Sequence, residues 1–173
     1  MSIELKQRTV GSCEPIDPWK SEDLTFRRRN LPHLNVPGAT YFITFRSQMF
    51  LPPDARDLVI AVIRDFTRQH IDLDAAVVMP DHVHLVIRLL RKEGLSQVLH
   101  LIKGRSARQV NQLLRREGPL WMDESFDHII RNETELEEKI EYIKQNPVKN
   151  GLATQPSEYK WLLSAPPDSR HTG

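Results

Sequence analysis

Hydrophobic alternation and helical spacing mark out most of the chain between residues 40 and 146. Aromatic and β-branched side chains crowd Thr40-Tyr41-Phe42-Ile43-Thr44-Phe45-Arg46, just after a turn at Val36-Pro37-Gly38-Ala39, and predict a first strand. Pro52-Pro53-Asp54 then starts a helix. Leu58, Val62, Ile63 and Phe66 recur at helical spacing, so the pattern predicts a helix over 53–69 with one face on a sheet. A second strand falls near Asp72 to Met79, and Pro80-Asp81 connects it tightly to a third at Val83 to Ile87, predicting an antiparallel hairpin.

Beyond Gly94, an apolar stripe of Leu95, Val98, Leu99, Ile102, Val110, Leu113 and Leu114 predicts a long helix over 95–116. Gly118-Pro119 breaks it, and Ser125 to Arg131 reads as a short strand. Asn132, followed three residues later by Glu135, forms a capping-box-like start for another helix. Proline disfavours helix in the residue before it, so Pro147 predicts an end near Asn146. Tyr159, Trp161 and Leu162 predict a short docked helix. Residues 1–36, interrupted by Pro15, Pro18 and Pro32, hold no period and read as an extended segment before a domain over 37–164, with a flexible tail over 165–173.

The order strand, helix, strand, strand, helix, strand predicts an α+β, ferredoxin-like split βαβ fold with a central antiparallel sheet. Two helices would cover one face of the sheet and leave the other to a ligand or another helix. The C-terminal helix that carries Tyr142 is extra to this unit.

A chain of 173 residues with 39% hydrophobic and 27% charged residues is sized for one soluble domain. No apolar run approaches the roughly 20 residues that cross a bilayer, and the polar N-terminus lacks a secretory core, so no membrane association and cytoplasmic residence are expected. The single cysteine, Cys13, excludes an internal disulfide and a thiolate-rich zinc site. The formal net charge of +1 conceals an uneven distribution. Arg88, Arg91, Lys92, Lys103, Arg105, Arg108, Arg115 and Arg116 face only Glu93, whereas acidic residues dominate from Asp123 to Glu141. Arg27-Arg28-Arg29 forms a further basic cluster. Such stripes suit a phosphate backbone, although solvated helix faces have the same composition.

Candidate chemistry centres on Pro80-Asp81-His82-Val83-His84-Leu85. Alternation on a strand sends His82 and His84 to one side, while Val83 and Leu85 anchor the other in the core. Imidazoles joined by oxygen donors suit a divalent ion such as manganese or magnesium. Tyr142 and Asn146 are four apart and share a helix face, so Asn146 could supply a third ligand beside a tyrosine nucleophile. Gln145 is a competing oxygen donor but is rotated off that face. The blander alternative makes the histidines structural, Tyr142 a core residue and Asn146 a helix-end residue.

In combination these stretches resemble the HUH single-tyrosine transposases, and more closely the REP-associated tyrosine transposases of bacteria. The resemblance runs in order over about residues 26–162. It includes Arg27-Arg28-Arg29-Asn30-Leu31-Pro32-His33, Met79-Pro80-Asp81-His82-Val83-His84-Leu85, Ile102-Lys103-Gly104-Arg105-Ser106-Ala107-Arg108, Ser125-Phe126-Asp127-His128 and Tyr142-Ile143-Lys144-Gln145-Asn146-Pro147. It implies the HUH endonuclease fold and a metal-dependent nuclease and strand transferase acting on single-stranded, hairpin (REP-like palindromic) DNA. Tyr142 would be the nucleophile, forming a 5′-phosphotyrosine, and His82, His84 and Asn146 the ligands of magnesium or manganese. Arg27, Arg28, Arg29, Lys103, Arg105 and Arg108 are the expected DNA contacts, in a nucleoid-associated bacterial protein acting as a monomer or homodimer.

Two other classes compete: a hairpin-binding or regulatory protein that does not cut, and a phosphodiesterase that uses water. No phosphate-cradling Gly-x-x-x-x-Gly-Lys loop points to nucleotide hydrolysis. The tyrosine reading fails if the imidazoles lie in the protein interior, or if Tyr142 is remote from them.

Overall fold

The computed structural model describes residues 38–90 and 94–165, so the expected N-terminal segment, Arg27, Arg28, Arg29 and nearly all of the C-terminal tail lie outside the described residues. Strand β1 (Thr40–Ser47), helix α1 (Pro53–Phe66), β2 (Ile71–Val78), β3 (His82–Leu89), helix α2 (Leu95–Leu113), β4 (Trp121–Ile130), helix α3 (Glu133–Lys149) and β5 (Leu162–Ser164) follow in chain order. The sheet runs β4-β1-β3-β2-β5 with every pair antiparallel. Its first four strands with α1 and α2 are the split βαβ arrangement expected from the sequence.

Alternation along the strands makes two cores. Tyr41, Ile43 and Phe45 of β1 and Val83, Leu85 and Ile87 of β3 pack under α1 and α2. On the other face Phe42, Ala75, Val77 and Val86 meet Ile140 and Ile143 of α3. The face that was open to a ligand or a helix is thus covered by the tyrosine helix itself.

Several boundaries differ from the sequence expectation; α1, expected to reach 69, ends at Phe66. α2 stops at Leu113, short of 116, and β4 starts at Trp121 rather than 125. The extra strand length comes from Trp121, whose ring packs edge-on against Phe45 at 4.8 Å, across a register shift between Phe45 and Ser47. α3 runs through Pro147 to Lys149. Asn150 N–H still reaches Asn146 O, and the helix ends in a Schellman arrangement: Leu152 N–H donates to Pro147 O (2.8 Å) and Gly151 N–H to Val148 O (3.0 Å). Gly151, at φ 68°, supplies the left-handed residue, so glycine rather than proline stops this helix.

The expected docked helix near Tyr159 is instead a 3-10 turn at Pro156–Glu158 followed by β5, which pairs Leu162 with Val77 and Ser164 with Ala75. Strand pairing covers the β2 edge, a stronger demand than any helical tendency in so short a segment. Tyr159 fastens this segment: its hydroxyl donates to Val78 O (2.9 Å) and accepts from Arg56 Nη1 (3.0 Å), while the Arg56 guanidinium lies 3.7 Å from the Trp161 ring centroid. Arg56 is buried, so deleting that hydroxyl strands both a cation and a carbonyl. Tyr159→Phe is expected to lower the unfolding free energy by about 1–3 kcal/mol, measured by urea denaturation; an unchanged midpoint would show the contact to be dispensable.

Candidate metal and nucleophile site

His82 and His84 project from β3 towards α3, opposite Val83 and Leu85 in the α1/α2 core. The β1–β3 register sets Thr44 across from His84 and Arg46 across from His82. Thr44 Oγ1 lies 2.7 Å from His84 Nδ1, and Asp81 Oδ1 lies 2.6 Å from His82 Nδ1. Arg46 in turn donates to the second Asp81 oxygen at 3.3 Å. Each imidazole is therefore held by its Nδ1, which turns its Nε2 towards α3.

The two rings stand 4.6 Å apart, centroid to centroid. His84 Nε2 meets the Asn146 side-chain amide at 3.4 Å, and that amide also bonds the Tyr142 hydroxyl. The Tyr142 ring is 5.3 Å from the His84 ring. Phe42 completes the wall, 5.6 Å from His84 and 5.9 Å from Tyr142. Four of the residues singled out in the sequence, His82, His84, Tyr142 and Asn146, thus share one constellation. Gln145 does not join it; its amide donates to Glu141 at the surface.

Both imidazoles are nearly covered, at 5% and 3% exposure. The sequence reading was to fail if these rings were interior, so the nature of the cover matters. Over His84 it is Tyr142 and Asn146, while the His84 ring and the Asp81 carboxylate flank His82. A phosphate can reach His84 Nε2 only if the contact with α3 opens.

Electrostatics favour lone pairs on the imidazoles. Burial, reinforced by the neighbouring His82, holds His84 well below the usual histidine range, so at neutral pH it is uncharged. Asp81 is held below the usual carboxylate range chiefly by its bond to His82, and it accepts the Nδ1 hydrogen. In the neutral tautomer that this bond selects, His82 Nε2 carries the lone pair, and this atom is buried with no hydrogen-bond partner among the described residues. An orphaned buried nitrogen is costly and rare. This nitrogen, the His84 Nε2 and the Asn146 amide form a nitrogen–oxygen donor set that fits a divalent ion. Among the described residues no three His, Cys, Asp or Glu side chains form a metal cluster; the third polar group at His84 is the Asn146 amide.

The expected basic contacts are placed elsewhere. Lys103 and Arg105 belong to α2, on the opposite face of the sheet. Lys103 Nζ is half-buried and donates to Met122 O (2.8 Å) and Ser125 Oγ (3.2 Å), which ties α2 to β4; burial lowers its pKa. Arg105 pairs with Asp65 at 2.8 Å. Arg108 is exposed on the same helix. Sequence reading missed Thr44, Asp81 and Phe42 as parts of the site; only the β1–β3 register identifies the first, and adjacency to His82 could have identified the second.

α3 is fixed at its start by a reciprocal cap. Asn132 Oδ1 accepts from Glu135 N–H (2.9 Å), and Glu135 accepts from Arg131 N–H (2.8 Å) and bonds His128 Nε2 of β4 (2.6 Å).

The model of the family described as "Transposase IS200 like" matches residues 42–146, a span that begins at Phe42 and ends at Asn146. The chain belongs to this family of transposases. It is 25% identical over 128 residues to a Haemophilus influenzae protein assigned as a REP-associated tyrosine transposase, covering 66% of this chain and 73% of that one. It is 26% identical over 129 residues to the REP-associated tyrosine transposase of Escherichia coli K12, covering 72% and 75%. A solved REP-associated tyrosine transposase bound to a REP hairpin has the same fold, with a TM-score of 0.59 at 23% identity over 78% of this chain and 81% of that one. No helix among the described residues is long and apolar enough to cross a membrane.

The Arg131 amide, first, and His128 hold Glu135 below the usual glutamate range, so its contribution to stability is present above that range and fades as pH falls through the lowered value. Glu135→Gln should therefore lower the melting temperature at pH 7, with the deficit shrinking as pH drops below the ordinary glutamate range. A deficit independent of pH would refute this cap's electrostatic role.

Proposed function

We propose that this chain cuts and rejoins single-stranded DNA next to a hairpin, with Tyr142 as the nucleophile and His82, His84 and Asn146 as ligands of magnesium or manganese. The observation that carries the reading is the buried His82 Nε2, without a hydrogen-bond partner among the described residues, on a ring 4.6 Å from that of His84, over which Tyr142 and Asn146 close. Hairpin DNA as substrate is carried over from the relatives, whose names or bound ligand include REP elements.

In the proposed reaction the Tyr142 hydroxyl oxygen attacks phosphorus, the bond to the 3′-oxygen breaks, and the protein is left joined to a 5′-phosphate. The phenolic proton departs to solvent and the leaving 3′-oxygen takes up a proton. Burial raises the Tyr142 pKa, and the Asn146 bond offsets part of that rise, so the phenol keeps its proton until attack begins. A bound divalent ion supplies positive charge against the phosphate oxygens. Asn146 orients the hydroxyl and must also release His84 to serve as an oxygen ligand; an amide flip exchanges Oδ1 for Nδ2 at this point. Thr44 and Asp81 keep the imidazoles in the tautomer that leaves Nε2 free. Because the tyrosyl phosphodiester conserves the bond energy, a second 3′-hydroxyl can reverse the step and join strands.

A second reading, a hairpin-binding protein that does not cut, draws on the closed packing of Tyr142 over the imidazoles. Denaturing gels separate the two. A labelled hairpin oligonucleotide with a single-stranded flank, incubated with manganese, should give a covalent protein–DNA species with the wild type and none with Tyr142→Phe, which still binds. Binding without any adduct in the wild type would establish the second reading.

The carboxylate behind His82 makes a separate prediction. Asp81→Asn should raise the manganese concentration for half-maximal cleavage by about 10–100-fold, while the His82→Ala, His84→Ala double variant loses cleavage at any manganese concentration. Unaltered metal dependence in both would remove the histidines from the ligand set.

A further inference from the structure

With Lys103 engaged in packing and Arg105 in an ion pair, the cations next to the tyrosine come from α3. Successive residues turn by roughly 100° around a helix. Taking Lys139 as origin, Asn146 lies at roughly −20°, Tyr142 at −60° and Lys149 at −80°, so all four occupy less than a quarter of the circumference. The side chains follow this placement: Lys139 Nζ sits 5.2 Å from the Phe42 ring centroid, and Lys149 Nζ 5.9 Å from that of Tyr142. Two ammonium groups therefore bracket the constellation along the helix axis, one a turn before Tyr142 and one two turns after it. Lys139 also lies within the field of Glu135, whose carboxylate is already taken by His128 and the Arg131 amide. Lys149 is exposed.

We propose that Lys139 and Lys149 bind the phosphates on either side of the one presented to Tyr142, threading the strand along α3. This rests on the nuclease reading above and adds to it the path of the substrate. A lysine ammonium is a flexible point charge without fixed fork geometry, which suits a backbone contact independent of sequence. Phe42 and Tyr142 supply the rings on which the cations wait when no phosphate is present.

The test uses full-length Tyr142→Phe, which cannot cleave, and a fluorescein-labelled hairpin oligonucleotide with a single-stranded flank. Lys139→Gln and Lys149→Gln in that background should each flatten the dependence of log K on log salt by about 0.7, and the double variant by about 1.4. Lys144→Gln removes the same charge from the same helix, roughly 140° around it from Lys139, and should leave the slope unchanged. Lys139→Arg and Lys149→Arg should keep the wild-type slope, which a purely structural role against the rings would not require. Binding by the parent with equal slopes in all the glutamine variants overturns the lysine path alone. An equal flattening by Lys144→Gln overturns it too, since the effect would then be net charge. Absence of binding by the parent overturns the nuclease reading together with it.

Discussion

The two-residue period of β3 is the constraint on which everything else rests. Val83, Leu85 and Ile87 are wholly buried in the α1/α2 core, and that burial fixes which way the strand faces. A slip of one residue would drive both imidazoles among those apolar side chains and unseat the three aliphatic ones from the core they fill, onto the face that α3 covers. Burying a Val, Leu or Ile is worth about 1.5–3 kcal/mol each, so the register is held far more firmly than any contact of the histidines could hold it. Their common direction is a by-product of hydrophobic packing on the far side of the sheet.

Orientation within that direction is a polar matter. Thr44 and Asp81 occupy the two Nδ1 atoms, and Arg46 steadies Asp81 from the neighbouring strand. This leaves the two Nε2 atoms on the α3 side of the sheet, with that of His82 lacking a hydrogen-bond partner among the described residues. A protein that needed only a packed interior could fill the position with an aliphatic residue and avoid the desolvation cost. The uncompensated polar atom lies on the face of β3 that α3 covers.

Much of this was legible in the sequence because it is periodic. The strand alternation around His82 and His84, the helical spacing of Tyr142 and Asn146, and the Asn132/Glu135 cap are all local rules, and the structure follows them. What escaped was set by partners distant in sequence. Trp121 extends β4 because Phe45 lies beside it, and β5 forms because β2 presents a bare edge. Thr44 enters the site through a register that no local pattern specifies. Pro147 misled for a different reason: a proline forbids one hydrogen bond, not a helix, and three residues of helix remain before Asn150-Gly151-Leu152 provides the actual stop. Charge along the sequence does not reveal which cations the fold engages: Lys103 is tied to β4 and Arg105 to Asp65, while Arg108 is exposed.

The net charge of +1 is equally uninformative until it is folded. α3 carries five glutamates, Glu133, Glu135, Glu137, Glu138 and Glu141, spread around its circumference. Glu137 and Glu141 are exposed and lie roughly 160° either way from Lys139, on the side away from the sheet. Glu135, nearer the lysine face, accepts from the Arg131 amide and bonds His128. Exposed Glu138, at roughly −100°, stands beside Tyr142 and Lys149, so both signs of charge meet along the edge where Tyr142 emerges. Exposed charges further apart than about 8 Å are largely screened at physiological salt, so a polyanion close to α3 responds to the nearest face and not to the sum.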